Sequence, residues 1–182
     1  GVTVSKLQIL ENQFQQKLST KINKPYQLLD NQLQNYQNKF SIAIGLREVG
    51  KYKEAIKWLK KFIEKETENP EALSLLSQIL LLDDREVEAE IALKAAISID
   101  AELPSVYCNQ ARLLLKQHKT EAALKIAEIG YKRFSENTEN LQVFAACLVA
   151  NKRDLEALPI IEKVLKVETN YAAATALPGE RS

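Results

Sequence analysis

The sequence predicts an all-α fold built from stacked helical hairpins, and two observations carry this prediction. Alanine recurs at one constant interval, at Ala55, Ala89, Ala123 and Ala157. A period between about 20 and 50 residues is typical of supersecondary units that stack on one another. Between these alanines, apolar residues recur with helical spacing, and we find no alternating run typical of a strand.

Composition excludes several classes of partner. The chain has 182 residues with 25 Lys and Arg against 24 Asp and Glu, and its net charge is +1. Because the positive and negative charges nearly cancel, we predict no nucleic-acid binding and no attraction to an anionic membrane. The longest aliphatic run, Ile79-Leu80-Leu81-Leu82, is far shorter than the ~20 apolar residues of a membrane-spanning helix. We therefore predict no membrane insertion.

The N-terminus and the cysteines bear on location. The first residues contain no basic region followed by an apolar one, so they do not resemble a secretory signal. The two cysteines, Cys108 and Cys147, are too few for a disulfide framework and lack CxxC spacing. Reduced thiols and a cytoplasmic location are therefore expected.

Residues 1–35 are predicted to form an N-terminal helical extension. A stripe of five apolar residues spaced by three or four predicts an amphipathic helix over residues 4–22. The stripe consists of Leu7, Leu10, Phe14, Leu18 and Ile22. Pro25 fits the first turn of a second helix, predicted over 25–49, and Gly50 ends it.

Seven more helices follow in pairs. They are predicted over 53–66, 71–82, 87–99, 105–117, 120–134, 139–150 and 154–167. Asn69, Pro70 and Glu71 supply a cap, a first-turn proline and a first-turn acid, and Thr120 is predicted as another cap. Pro159 falls inside the last helix, where it is expected to remove a backbone hydrogen bond or bend the helix.

Four further columns repeat with the alanines. Leucine stands nine residues before each alanine, small residues twelve before, and mainly apolar residues four and seven after. These columns are Leu46, Leu80, Leu114 and Leu148; Ala43, Ser77, Ala111 and Ala145; Leu59, Leu93, Ala127 and Ile161; and Phe62, Ala96, Gly130 and Val164. Small residues at fixed places predict close approach of two helix backbones.

This pattern resembles the tetratricopeptide repeat, a helix-turn-helix unit of about 34 residues. The segment Gly50-Lys51-Tyr52-Lys53-Glu54-Ala55-Ile56 carries the strongest single match, and Tyr107, Ala111, Leu114 and Ala123 carry another. The resemblance covers residues 36–170, with repeats over 36–69, 70–103, 104–137 and 138–171. Residues 171–182 then form a truncated or disordered tail.

The resemblance implies a right-handed α–α superhelix whose first helices line a concave groove that holds an extended or helical peptide. It places ten residues of this sequence in a partner-binding groove. They are Phe40, Ile44, Arg47, Gln78, Leu81, Asn109, Arg112, Leu115, Lys116 and Gln142. By the same resemblance, Cys108 faces the inner surface and Cys147 lies between helices.

No constellation of residues predicts catalysis, a cofactor or a metal site. His118, the single histidine, falls in a turn without ligand partners at suitable spacing. The two cysteines are expected to be packing residues, since only Arg112 could lower the pKa of Cys108. The sequence therefore favours a protein-interaction scaffold that binds a protein or peptide.

Two other possibilities stay open. Repeat arrays need a terminal unit with a polar outer face, and none follows Tyr171. We therefore expect either that the protein continues beyond Ser182 or that this end docks on another chain. The first case suggests the N-terminal recognition domain of a larger glycosyltransferase or sulfotransferase. The second suggests a homodimer, formed through the N-terminal helix or the C-terminal end. Docking of the N-terminal stripe on the first repeat is the alternative to pairing with a second copy.

Overall fold

The computed structural model describes residues 39–175, with side chains described as far as residue 169. The predicted helix at 4–22, the start of the second helix and residues 176–182 lie outside this range. The chain divides into two compact units, and the boundary falls between Ala89 and Glu90.

The described residues form eight helices and no strand, so the predicted all-α class is confirmed. The first helix, α1, occupies 39–48 of the described range. The others are α2 Tyr52–Lys65, α3 Pro70–Leu82, α4 Glu86–Ile99, α5 Pro104–Lys116, α6 Thr120–Arg133, α7 Thr138–Ala150 and α8 Asp154–Thr175.

The bounds of α2 to α7 differ from the predicted ones by at most one residue at each end. The predicted cap at Thr120 is wrong in detail, because Lys119 is the N-cap and Thr120 begins α6. The predicted end of the last helix at 167 is also wrong. Helix α8 runs through Pro159 and continues to Thr175. Its extension contains three consecutive alanines, strong helix formers, and the next breakers are Pro178 and Gly179.

Each first helix ends in the same left-handed turn. A residue with positive φ recurs once in every repeat, at Gly50 (76°), Asp84 (59°), His118 (61°) and Lys152 (59°). The next N–H donates to the carbonyl of the repeated leucine, as from Lys119 to Leu114 at 2.9 Å. This six-to-one bond defines a Schellman motif. The leucine column thus marks the end of every first helix.

The alanine column is the fourth residue of the second helix of each hairpin. The N–H of Ala55, Ala89, Ala123 and Ala157 donates to the carbonyl four residues earlier, over 3.0 to 3.2 Å. All four side chains are at most 1% exposed. The predicted burial of small residues at this column is confirmed.

Unit 1 has an aromatic cluster between α1 and α2. The Phe40 ring meets the Phe62 ring edge-on with centroids 5.2 Å apart, and the Trp58 ring stacks on Phe62 at 5.6 Å. Asn69 caps α3 by accepting a hydrogen bond from the Ala72 N–H at 3.0 Å. These contacts fix the first hairpin and the start of the next first helix.

Unit 2 has one apolar core shared by α5, α6, α7 and α8. Helix α7 packs against both helices of the hairpin before it, and α8 packs against α7. The Tyr131 ring of α6 stacks on the Phe144 ring of α7 with centroids 4.7 Å apart. The buried residues of this core include Cys108, Ala111, Ala123, Leu124, Ala127, Val143, Phe144, Ala145, Cys147, Leu148 and Ala157.

Candidate functional site

The first helices of unit 2, α5 and α7, lie side by side and present one mixed surface. Lys116 and Gln142 are exposed on it, and Arg112 and Leu115 are partly exposed. Ala146 and Val149 lie one and two turns beyond Gln142 on α7 and are also exposed. We call these six residues the first-helix face of unit 2. Four of them belong to the ten predicted groove residues.

Arg112 connects the two helices that carry this face. Its Nη1 donates to Glu139 Oε1 on α7 at 2.6 Å and to Asn109 Oδ1 on α5 at 3.1 Å. The ion pair is partly buried, which protects it from salt screening more than a fully exposed pair. Arg112 therefore holds α7 in position beside α5, as well as contributing a cation to the face.

Two residues assigned to the inner surface of α5 do not reach it. Asn109 and Cys108 are each 1% exposed. Because α7 packs directly against α5, it covers the start of α5 and encloses both side chains. The prediction that Asn109 lines an open groove is therefore wrong, as is the inner-surface position of Cys108. The sequence assigned each residue to a face but did not show which neighbouring helix covers it.

Unit 1 contains the other five predicted groove residues. Phe40 is only 1% exposed and lies in the aromatic cluster, and Leu81 is also buried, so neither lines a surface. Ile44, Arg47 and Gln78 are partly exposed. Arg47 Nη1 donates to Gln78 Oε1 at 2.9 Å, which links α1 to α3. In this unit, too, the polar groove residues bridge consecutive first helices.

An apolar hollow of about 400 Å³ opens between α7 and α8. Seven residues line it: Gln142, Ala145, Ala146, Val149, Ile161, Val164 and Leu165. Sequence reasoning missed this hollow, although Ala145, Ile161 and Val164 were already assigned to repeating columns. The column itself gives no signal for it, because Leu59 and Leu93 occupy the place of Ile161 in the first two repeats and are buried.

The thiols of unit 2 are poorly suited to nucleophilic chemistry. Burial raises the pKa of the Cys108 thiol to about 12 and that of Cys147 to about 11. A reactive cysteine needs the opposite shift, toward the thiolate. Both cysteines are buried packing residues, as predicted. His118 is exposed in its turn, also as predicted.

Neither a metal site nor a membrane-spanning helix occurs in the described part of the chain. Residues 39–175 contain no group of three or more His, Cys, Asp or Glu side chains placed to hold a metal ion. Within that same range, no helix combines the length and apolar character needed to cross a bilayer. The cytoplasmic location stays a prediction.

The fold is that of the tetratricopeptide-like helical repeat proteins. A crystal structure of MamA superposes with a TM-score of 0.54 and 20% identity, covering 81% of this chain and 86% of MamA. YrrB, described as a TPR protein with an unusual peptide-binding site, gives a TM-score of 0.51 at 19% identity, covering 75% of this chain and 71% of YrrB. These likenesses concern the fold.

Sequence comparison gives the family. The family model of the ChAPs, the Chs5p-Arf1p-binding proteins, matches residues 5–158, and the chain belongs to this family. The human protein O-mannosyl-transferase TMTC3 is 29% identical over 133 residues, which make up 71% of this chain. The chain spans only 14% of the length of TMTC3.

Proposed function

We propose that this chain is a protein-interaction module that binds a segment of a partner protein on its first helices. The observation that carries the proposal is the first-helix face of unit 2. After α5 and α7 have packed on each other, this face still exposes cationic, amide and aliphatic groups together. Such a mixture suits a peptide with apolar anchors and some acidic residues.

The groups on the face have different tasks in this proposal. Leu115 and Val149 supply apolar contact for the anchors of the partner. Lys116 attracts an acidic side chain. Gln142 donates from its Nε2 to Glu168 Oε1 at 3.2 Å, and its Oε1 can accept from a peptide backbone N–H. Arg112 keeps the face in shape, because its bond to Glu139 joins the two helices. The face is therefore largely preformed, which lowers the cost of ordering on binding.

The family description supplies the first partners to test. Its members are named as proteins that bind Chs5p and Arf1p, so we propose that a protein of one of these two kinds occupies the face. Purified Chs5p and Arf1p would each be titrated calorimetrically into the full chain. We expect at least one of them to bind.

Two matched pairs of variants assign the binding to the face. Lys116→Glu on α5 is compared with Lys125→Glu on α6, since both lysines are exposed but only the first lies on a first helix. Leu115→Ala is compared with Ile126→Ala, since both side chains are partly buried against the same core. We expect about tenfold or greater weakening from the α5 variants and none from the α6 variants. Equal effects within each pair would overturn the assignment.

A second candidate function is the recognition domain of a larger transferase. The similarity to a human O-mannosyl-transferase, of which this chain spans 14%, favours it. Sequencing the gene on both sides of the coding region for these residues tests it. A transferase domain in the same reading frame is expected, and its absence would remove this candidate without affecting the proposed binding face.

A further inference from the structure

The turn between α6 and α7 presents an exposed serine to solvent. Ser135 lies between the end of α6 at Arg133 and the start of α7 at Thr138, and its side chain is exposed. Among the residues that the structure describes, its hydroxyl has no hydrogen-bond partner. The hydroxyl is therefore accessible to an enzyme that modifies it.

Two basic residues stand shortly before this serine. Lys132 and Arg133 are three and two residues before Ser135, and both are exposed. Basic residues at these two places are a charge pattern that one class of protein kinases reads through acidic groups beside the peptide-binding cleft. Arg133 is the last residue of α6, and a helix end opens locally at a lower cost in free energy than a core helix. The segment can therefore fit a kinase while the core of unit 2 stays folded.

Unit 1 has a turn of the same length with the opposite charges. Thr67 is the counterpart of Ser135 two repeats earlier, and its side chain is also exposed. Four residues separate the second helix from the next first helix in both turns. Thr67, however, is flanked on both sides by carboxylates, those of Glu66 and Glu68. An enzyme that reads basic residues should therefore modify Ser135 and leave Thr67 unmodified.

Arg133 also has a free edge that suits a phosphate. Its Nη1 donates to Glu102 Oε2 and to Tyr107 Oη, the latter at 2.6 Å. Both bonds use one nitrogen, so Nε and Nη2 have no partner among the described residues. At Arg153, those same two nitrogens both donate to the carboxylate of Glu156. The pair of parallel donors on Arg133 is thus able to bind two oxygens of a phosphate.

We propose that Ser135 is a phosphorylation site for a serine kinase that recognises basic residues, and that Arg133 binds the phosphate. The co-substrate is ATP. Ser135 Oγ attacks the γ-phosphorus while a carboxylate of the kinase accepts the hydroxyl proton, the bond from that phosphorus to the β–γ bridging oxygen breaks, and ADP leaves. The bound phosphate then ties the turn to the end of α6. None of these residues belongs to the first-helix face of unit 2, so the proposed partner binding is tested separately.

The test incubates the folded full chain with ATP and the catalytic subunit of the cAMP-dependent protein kinase, which reads basic residues before serine. Mass spectrometry of proteolytic fragments locates each phosphate, and circular dichroism checks that the helices are retained. We expect a phosphate on Ser135 and none at this position in Ser135→Ala. The matched control is Thr67→Ser, which should stay unmodified at position 67 because its turn is equally exposed but acidic. An unmodified Ser135, or modification of both turns to the same extent, would overturn the proposal.

Phosphorus NMR tests the role of Arg133. A pH titration gives the second pKa of the phosphate on Ser135, which is about 6 for an unbound phosphoserine. Arg133→Lys keeps the positive charge and the basic pair but lacks the parallel donors. We expect the phosphate pKa of the wild type to lie roughly half a pH unit below that of phosphorylated Arg133→Lys, because the guanidinium binds the dianion better. Equal pKa values would overturn the assignment of Arg133 as the phosphate-binding residue.

Discussion

Gly130 on α6 and Tyr107 on α5 approach each other so closely that a Cβ added to Gly130 would lie 2.9 Å from the Tyr107 Cβ. The same added atom would lie 2.7 Å from Asn140 Nδ2 on α7. Three helices therefore converge on this glycine. Asn140 uses that same amide nitrogen to donate to the Pro104 carbonyl at 3.3 Å, so its side chain is not free to move aside.

Gly130→Ala is expected to destabilise unit 2 by up to roughly 2 kcal/mol. Overpacking typically costs about 1–3 kcal/mol, and the better helix propensity of alanine returns about 1 kcal/mol. Gly45→Ala is the matched control, because an added Cβ on Gly45 meets nothing within 4 Å. It should stabilise α1 by roughly 0.5–1 kcal/mol. Urea unfolding of both variants measures the two shifts, and shifts of the same sign would contradict this account.

The alanine column gives a second prediction through packing. Ala123→Leu should lower the free energy of unfolding by about 1–3 kcal/mol, since Ala123 is fully buried where the two helices of the hairpin meet. Ala122 precedes it on α6 and is exposed. Ala122→Leu should change stability by less than about 0.5 kcal/mol. If both variants lose the same stability in thermal unfolding, helix propensity and not packing determines the cost of replacing an alanine of the column.

The helix positions were accessible from sequence because their signals are local. Asn69, Pro70 and Glu71 define the start of α3 within three residues, and the structure places the helix there. The end of α8 was missed because no local breaker marks it. The positive φ of Asp84, His118 and Lys152 was also missed. Asp and His are enriched in this conformation among residues other than glycine, but only about a few per cent of such residues adopt it, so their identity gives a weak signal.

The site was less accessible, because exposure depends on packing between distant residues. Phe40 and Asn109 occupy groove positions by resemblance, yet both are buried. Arg112 was expected to serve as a cation for a partner, and its bond to Glu139 across 27 residues could not be read from spacing alone. The hollow beside Ile161 is formed by two helices together, and spacing within one helix does not show it. Repetition in the sequence thus predicts the scaffold better than it predicts the surface.

The buried thiols give a prediction about pH. In the unfolded chain a cysteine ionises near its ordinary pKa of 9.0, whereas burial raises the pKa of Cys108 to about 12 and that of Cys147 to about 11. At a pH between the ordinary pKa of 9.0 and the raised pKa of each buried thiol, the unfolded chain has lost thiol protons that the folded chain retains. The stability contributed by the protonated thiols is therefore complete below about pH 9 and falls as pH rises further.

Denaturant unfolding between about pH 8 and 10.5 measures this fall. Each thiol can contribute a slope of at most about 1.4 kcal/mol per pH unit. Cys108→Ala should show a shallower slope than the wild type, while the ionisation of lysines contributes equally to both. Parallel slopes would show that Cys108 does not resist ionisation in the folded chain.

The recurring left-handed turn gives the last prediction. His118 has φ of 61° at the position where the first repeat has Gly50. A side chain in this conformation costs roughly 1–2 kcal/mol, whereas glycine avoids that cost but loses more freedom on folding. His118→Gly should therefore stabilise the chain by roughly 0.5–1 kcal/mol, and Lys152→Gly should act alike. Gly50→Ala, the reverse change at the equivalent turn, should destabilise it. The backbone hydrogen bond from the Lys119 N–H to the Leu114 carbonyl does not depend on the side chain at position 118. Urea unfolding measures the change in stability. If His118→Gly loses stability, the imidazole itself supports the turn.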